Sequence, residues 1–246
     1  MSVDFLDFRF PGLDRVRCVF SMRSGGISQG PFAQGNLSLE VGDDAEAVRA
    51  NREELRTRLG VRVWQELRQV HEQAVYMDLE TDFFDGPTIE GDGLCTTRPG
   101  HALVMKTADC QAILLADMDG RHVAALHCGW RGNAGNFPGD GVRKFCAYYG
   151  VDPARIMAVR GPSLGPGKSE FVNFENEWNP MFRSYYNPET KSVDLWTLTR
   201  NQLMGVGIPG RNIFSLDLCT ASSEQFFSYR RDKITGRQVG MIWIEE

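Results

Sequence analysis

The chain has 246 residues, of which 42% are hydrophobic and 24% charged, and its 27 Lys+Arg against 32 Asp+Glu give a formal net charge of −5. That balance excludes a disordered, collagen-like or coiled-coil protein and leaves no cationic excess to neutralise a nucleic-acid backbone. No apolar run approaches the ~20 residues of a membrane span, and Ser2-Val3-Asp4 has none of the charge pattern of a leader, so a cytoplasmic protein without a membrane partner is expected.

Val16 to Phe20 reads as a strand, and the polar Arg23-Ser24-Gly25-Gly26 after it as a loop. Asp44 is placed to cap a helix that puts Val48, Leu55 and Leu59 on one face and ends at Gly60. Val70, just before His71, is expected in a further strand. The apolar centre follows as three runs, Ala102 to Met105, Ala112 to Ala116 and Val123 to Leu126. Met118-Asp119-Gly120 is turn chemistry, so the second and third of these strands must be antiparallel, which excludes a purely parallel sheet. Helices are expected over Gly141 to Tyr149 and from Asp194 to Gly207, then strands at Ile213 to Leu218, Phe226 to Tyr229 and Val239 to Ile244. With no linker or repeat, these elements predict one α+β layered domain over residues 1–246, with mixed sheets.

The chain holds six cysteines (Cys18, Cys95, Cys110, Cys128, Cys146, Cys219) with no C-x-x-C pair, which reads as reduced thiols, mostly small buried groups. Four histidines are present: His71, His101, His122 and His127. His127 ends an apolar run just before a glycine-rich loop, Cys128-Gly129-Trp130-Arg131-Gly132, and Cys110 stands at the opposite junction of the same apolar centre. Together with His71 they supply two imidazoles and a thiolate, a suitable donor set for Zn²⁺ with the fourth position left open. The same groups equally suit a metal-free nucleophile with its base, or an ordinary core, since their separations match no compact zinc-finger spacing. His101 and His122 lie in turn-like settings and are expected as solvated imidazoles.

Arg23, Arg49, Arg52, Arg131 and the pair Arg230-Arg231 are candidate anion binders. Arg131 is favoured, because the glycines flanking Trp130-Arg131 permit close approach to a ligand. Gly161 to Gly167 offers a further anion nest, though without a P-loop ending.

The ordered set Arg23-Ser24-Gly25-Gly26, Asn36-Leu37-Ser38, Val41-Gly42-Asp43-Asp44, Gln69-Val70-His71, Asp92-Gly93, Thr107-Ala108-Asp109-Cys110, His127 with Gly129-Trp130-Arg131-Gly132, Cys219-Thr220 and Thr235-Gly236-Arg237 resembles the YfiH-like family, also called laccase-domain or multicopper polyphenol oxidoreductase-like. The resemblance implies a layered α/β/β/α fold similar to the catalytic fold of cytotoxic necrotizing factor toxins. It implies that His71, Cys110 and His127 are metal-binding and catalytic, with zinc the expected metal and copper the alternative. The implied activity is purine nucleoside phosphorylase, with adenosine deaminase and methylthioadenosine phosphorylase activity. In that reading Asp109 stabilises charge on the base, and Arg131, Arg23 and Arg49 hold substrate and phosphate. The alternatives are an amide hydrolase editing a UDP-muramoyl amino-acid (muropeptide) precursor and a copper-dependent polyphenol oxidase. A departure from the family pattern is Gly139-Asp140-Gly141, which is expected to lengthen the loop after Gly132.

Overall fold

The computed structural model describes residues 2–246. In chain order the first half comprises β1 (Phe5–Phe8), β2 (Val16–Ser21), α1 (Ala45–Leu59), β3 (Val63–Gln65), β4 (Val75–Met77), β5 (Gly93–Thr96), β6 (His101–Thr107), β7 (Gln111–Asp117) and β8 (Val123–Cys128). The second half comprises α2 (Trp130–Ala134), α3 (Phe137–Tyr149), β9 (Ile156–Arg160), α4 (Phe174–Glu177), β10 (Tyr186–Asn187), β11 (Ser192–Val193), α5 (Leu195–Gly205), β12 (Ile213–Ser215), α6 (Tyr229–Asp232) and β13 (Gln238–Ile244). Two mixed sheets carry the fold, one ordered β1-β2-β13-β6-β3 and the other β12-β9-β7-β8-β5-β4.

The period-2 alternation of the strands sorts their side chains into three apolar layers. Cys18, Phe20, Leu103, Met105 and Ile242 of the first sheet meet Ala112, Leu114, Val123 and Ala125 of the second in the central layer. Val19, Val104, Met241 and Trp243 face outward against Leu55 and Leu59 of α1. On the far side, Ile113, Leu115, Ala124 and Leu126 pack on Phe137, Val142 and Phe145 of α3 and Leu203 of α5. The result is the expected α/β/β/α layering, with antiparallel β7 and β8 at the centre of its sheet.

Helix α1 begins as expected: the Asp44 carboxylate accepts from the Glu46 N–H, and Gly60 closes the helix at φ 67°. Asp194 likewise accepts from Thr197 at the start of α5.

Other expectations are corrected. Val70 and His71 form a turn, not a strand, with His71 at φ 63°. Trp130–Ala134 is a helical turn rather than an open loop, and Gly139-Asp140-Gly141 lies within α3, which starts at Phe137 behind Pro138. Phe226 to Tyr229 is no strand, because Ser228 caps α6, its side chain accepting from the Arg231 N–H, and Tyr229 already lies in that helix. Strand β12 stops at Ser215, and Gly161 to Gly167 is not an open anion nest, because the N–H groups of Gly161, Ser163 and Leu164 donate to the carbonyls of Ala112, Leu218 and Asp109. All six cysteines are free, with Cys18, Cys95, Cys128 and Cys146 buried.

Candidate active site

The register of β7 and β8 explains why Cys110 and His127 meet. Ala112 lies opposite His127, and the residues that alternate with them, Leu114, Ala116, Val123 and Ala125, all face the central layer. Cys110 and His127 therefore project from the same face at the open end of that layer. His71 arrives from the turn before β4. The donor atoms of His71, Cys110 and His127 all lie within 4.8 Å of one another. Cys110 Sγ is 3.7 Å from His71 Nε2, and the two imidazole rings stand edge to face at 4.8 Å.

Asp92, at the entrance to β5, holds two of these three groups. Its buried carboxylate lies 2.7 Å from His127 Nδ1 and accepts the backbone N–H groups of Val70, His71 and Glu72 at 3.3, 3.1 and 2.8 Å. One carboxylate thus shapes the positive-φ turn carrying His71 and fixes His127 with its Nε2 edge toward the other donors. Asp92 is not among the sequence-predicted site residues; its one signal in the sequence is an acid immediately before a wholly buried strand.

The electrostatics follow from this packing. Burial disfavours charge on Cys110, but the charge and hydrogen bond of His127, with a further hydrogen bond from His71, hold its thiol well below the ordinary value. His127 is held above its ordinary value: burial opposes this, and the Cys110 thiolate and Asp92 outweigh it. Asp92 is likewise opposed by burial but kept below the usual carboxylate range by His127 and the backbone donors.

The remaining predicted residues fall into different places. Asp109 precedes Cys110 at φ 99°, and its carboxylate accepts from Thr220 Oγ1, Ser228 Oγ and the Arg230 N–H at 2.7, 2.7 and 2.6 Å. It therefore pins the Cys110 loop to α6. Arg131 is exposed beside the site, its guanidinium 4.4 Å over the Trp130 ring.

Arg23 and Arg49 are not brought to the site cavities. Arg23 donates to Ala33 O and faces Asp232 at 3.4 Å, whereas Arg49 is held by Glu46 and Asp85 on the outside of α1. Arg52 is fully buried, with Glu66 at 3.0 Å, so it is a core strut and not a surface anion binder. His101 is buried rather than solvated, and His122 is half-buried against Tyr149 and Asp117.

Two cavities meet at the donor cluster, of about 360 and 510 Å³. His71, Ala108, Cys110 and Tyr229 line both. The smaller carries Lys106, Glu40 and Arg237; the larger carries Trp130, Phe171 and Leu195 beside Asp109, Glu170 and Arg230.

Two layered sheets with a His/Cys/His cluster at their open end define the class, and the comparisons agree. The chain belongs to the multi-copper polyphenol oxidoreductase laccase family, matched over residues 17–245. It is 34% identical over 247 residues to a purine nucleoside phosphorylase of Pseudomonas aeruginosa, covering 96% of this chain and 97% of that protein. It is 32% identical to the purine nucleoside phosphorylase YfiH of Escherichia coli, with 96% and 97% covered. The crystal structure of YlmD from Geobacillus stearothermophilus superposes with a TM-score of 0.89 at 29% identity, over 98% of this chain and 96% of that one.

Proposed function

We propose that this chain is a zinc-dependent purine nucleoside phosphorylase that also deaminates adenosine and phosphorolyses methylthioadenosine. The observation that carries the reading is the convergence of His71, Cys110 and His127 where two cavities meet. Relatives aligned over nearly their whole length are named purine nucleoside phosphorylases, which supports it.

The donor set fits a zinc ion. It offers two imidazoles and a thiol already biased toward its anion, and Asp92 supplies the carboxylate behind a ligand imidazole that stabilises such sites. A metal held there supplies a Lewis acid at the face these residues leave open. Asp92 orients His127 and the His71 turn, and the packed β7–β8 register fixes Cys110 against them. Asp109 serves by holding the Cys110 loop, since three donors already occupy its carboxylate. Copper polyphenol oxidation fits less well: a blue site plus a trinuclear cluster needs many imidazoles, and only two of the four histidines stand here.

A second reading, the muropeptide-precursor amide hydrolase, is favoured by one observation. Cys110, His127 and Asp92 stand in the order thiol, imidazole, carboxylate, the arrangement of a metal-free nucleophile with an oriented base. Parallel assays of inosine with phosphate, of adenosine alone and of an N-acetylmuramoyl-serine precursor decide between them. The phosphorylase reading expects phosphate-dependent release of hypoxanthine, lost in Cys110→Ser. Unchanged nucleoside turnover in a folded Cys110→Ser protein, or turnover of the muramoyl precursor alone, contradicts it.

A further inference from the structure

The two cavities that share Cys110 differ in chemistry, and the difference assigns them to different substrates. In the smaller cavity Lys106 has no donor to spare: Nζ is 2.6 Å from Glu40 and 3.4 Å from Glu66, and it donates to Leu67 O at 3.1 Å. Arg237 is different. Its Nη1 donates to Thr235 O and Gly236 O at 2.9 and 3.0 Å, while Nε and Nη2 make no hydrogen bond among the described residues. No carboxylate stands within ion-pair distance of it among those residues. It is half-buried, and burial presses its guanidinium below the ordinary value despite the nearby Cys110 and Asp109 charges. A desolvated guanidinium fork with two free edges suits an oxyanion with several acceptor oxygens.

The larger cavity has an aromatic wall on which a planar ring can lie. Trp130 and Phe171 stand edge to face at 5.6 Å along its wall. Its cations are Arg131, exposed on Trp130, Lys233, exposed with its ammonium 5.5 Å from the Tyr229 ring centre, and the half-buried Arg230, whose Nη1 donates to Glu170 O at 3.1 Å. Solvent and salt weaken the two exposed charges, and the carboxylates of Asp109 and Glu170 on the same wall disfavour an oxyanion there.

We infer that Arg237 is the anchor for the phosphate co-substrate, while the purine lies against Trp130 and Phe171 in the other cavity and the ribosyl carbon bridges them beside Cys110. The inference rests on the phosphorylase reading and deepens it. In the reaction a phosphate oxygen bonds to C1′ as the C1′–N9 bond breaks. The electron pair of that bond passes to the base, which takes the proton of hydrogen phosphate, leaving ribose 1-phosphate and the free purine.

Steady-state kinetics of the purified holoenzyme test this, varying phosphate and inosine separately in Arg237→Gln, Arg237→Lys, Arg131→Gln, Arg230→Gln and Phe171→Ala. Arg237→Gln is expected to raise the KM for phosphate by about tenfold or more, the loss of a charged hydrogen-bonding partner, with the KM for inosine within about twofold. Arg237→Lys, which keeps the charge, recovers part of that loss. Phe171→Ala shows the opposite split. An unchanged phosphate KM in Arg237→Gln, or an equal rise in Arg131→Gln or Arg230→Gln, overturns the assignment. Calorimetric titration with inorganic phosphate separates this from the parent reading. If wild type releases no base yet binds phosphate and Arg237→Gln does not, the anion site stands and the phosphorylase reading falls; equal binding by both proteins removes the anion site.

Discussion

Asp92 bears on the site more than any residue chosen from the sequence, although it touches no substrate cavity directly. It is a positioning residue: through His127 and the His71 backbone it sets two of the three donors, and through His127 it stabilises the Cys110 thiolate. Asp92→Asn should therefore shift the pH profile of Cys110 alkylation, measured in metal-free protein with iodoacetamide, toward higher pH. An unmoved profile would make Asp92 merely structural. Its own carboxyl lies below the usual range in the fold, so it stabilises the native state above about pH 4, and that contribution is lost as pH falls through the folded value. Acid unfolding of Asp92→Asn should accordingly depend less on pH below about pH 4 than that of wild type. The places of Cys110 and His127 at the ends of apolar runs were legible from the residues, whereas their grouping with His71 as a site followed only from the family resemblance. Asp92 and Arg237 were not legible, because their roles come from which partners a folded neighbour supplies or withholds.

Among the elements, the short helix α2 packs its N-cap residue directly against the donor cluster. Gly129 caps it at φ −81°, a conformation open to any residue, yet a Cβ there would stand 3.0 Å from both Cys110 Sγ and His71 Cδ2. Gly129→Ala is thus expected to lower metal affinity by about tenfold or more, by chelator competition, while the metal-free protein melts within about 1 kcal/mol of wild type. An unaltered affinity would show that the cluster is looser than its packing indicates. Helix α1 and the β7–β8 pair were readable because caps, turn residues and periodicity agreed. The turn at His71 and the helix at Trp130 were not: the first depends on a carboxylate 21 residues away and the second on packing of Trp130 against Phe171 and Trp178. Local propensity carries neither signal.

Across the whole molecule, a buried ionic chain ties the outer helix to the site. Arg52 of α1 holds Glu66 at 3.0 Å, Glu66 faces Lys106 of β6 at 3.4 Å, and Lys106 meets Glu40 at the cavity wall at 2.6 Å. Glu66→Gln leaves Arg52 charged and without a carboxylate in the core, so urea unfolding should show a loss of about 3–5 kcal/mol; a loss under about 1 kcal/mol would mean that the chain is not a unit. The layered architecture was legible from strand patterning, whereas the meeting of two cavities at one cluster arises only from the stacking of both sheets. In the proposed enzyme, three residues from separate segments hold one metal ion on which turnover depends. Elemental analysis of protein purified without added metal, alongside Cys110→Ser and inosine and adenosine assays of both, is the decisive test. Near-stoichiometric zinc is expected in wild type, with zinc and turnover lost together in the variant; metal-free protein with full nucleoside turnover would overturn the metal-dependent reading.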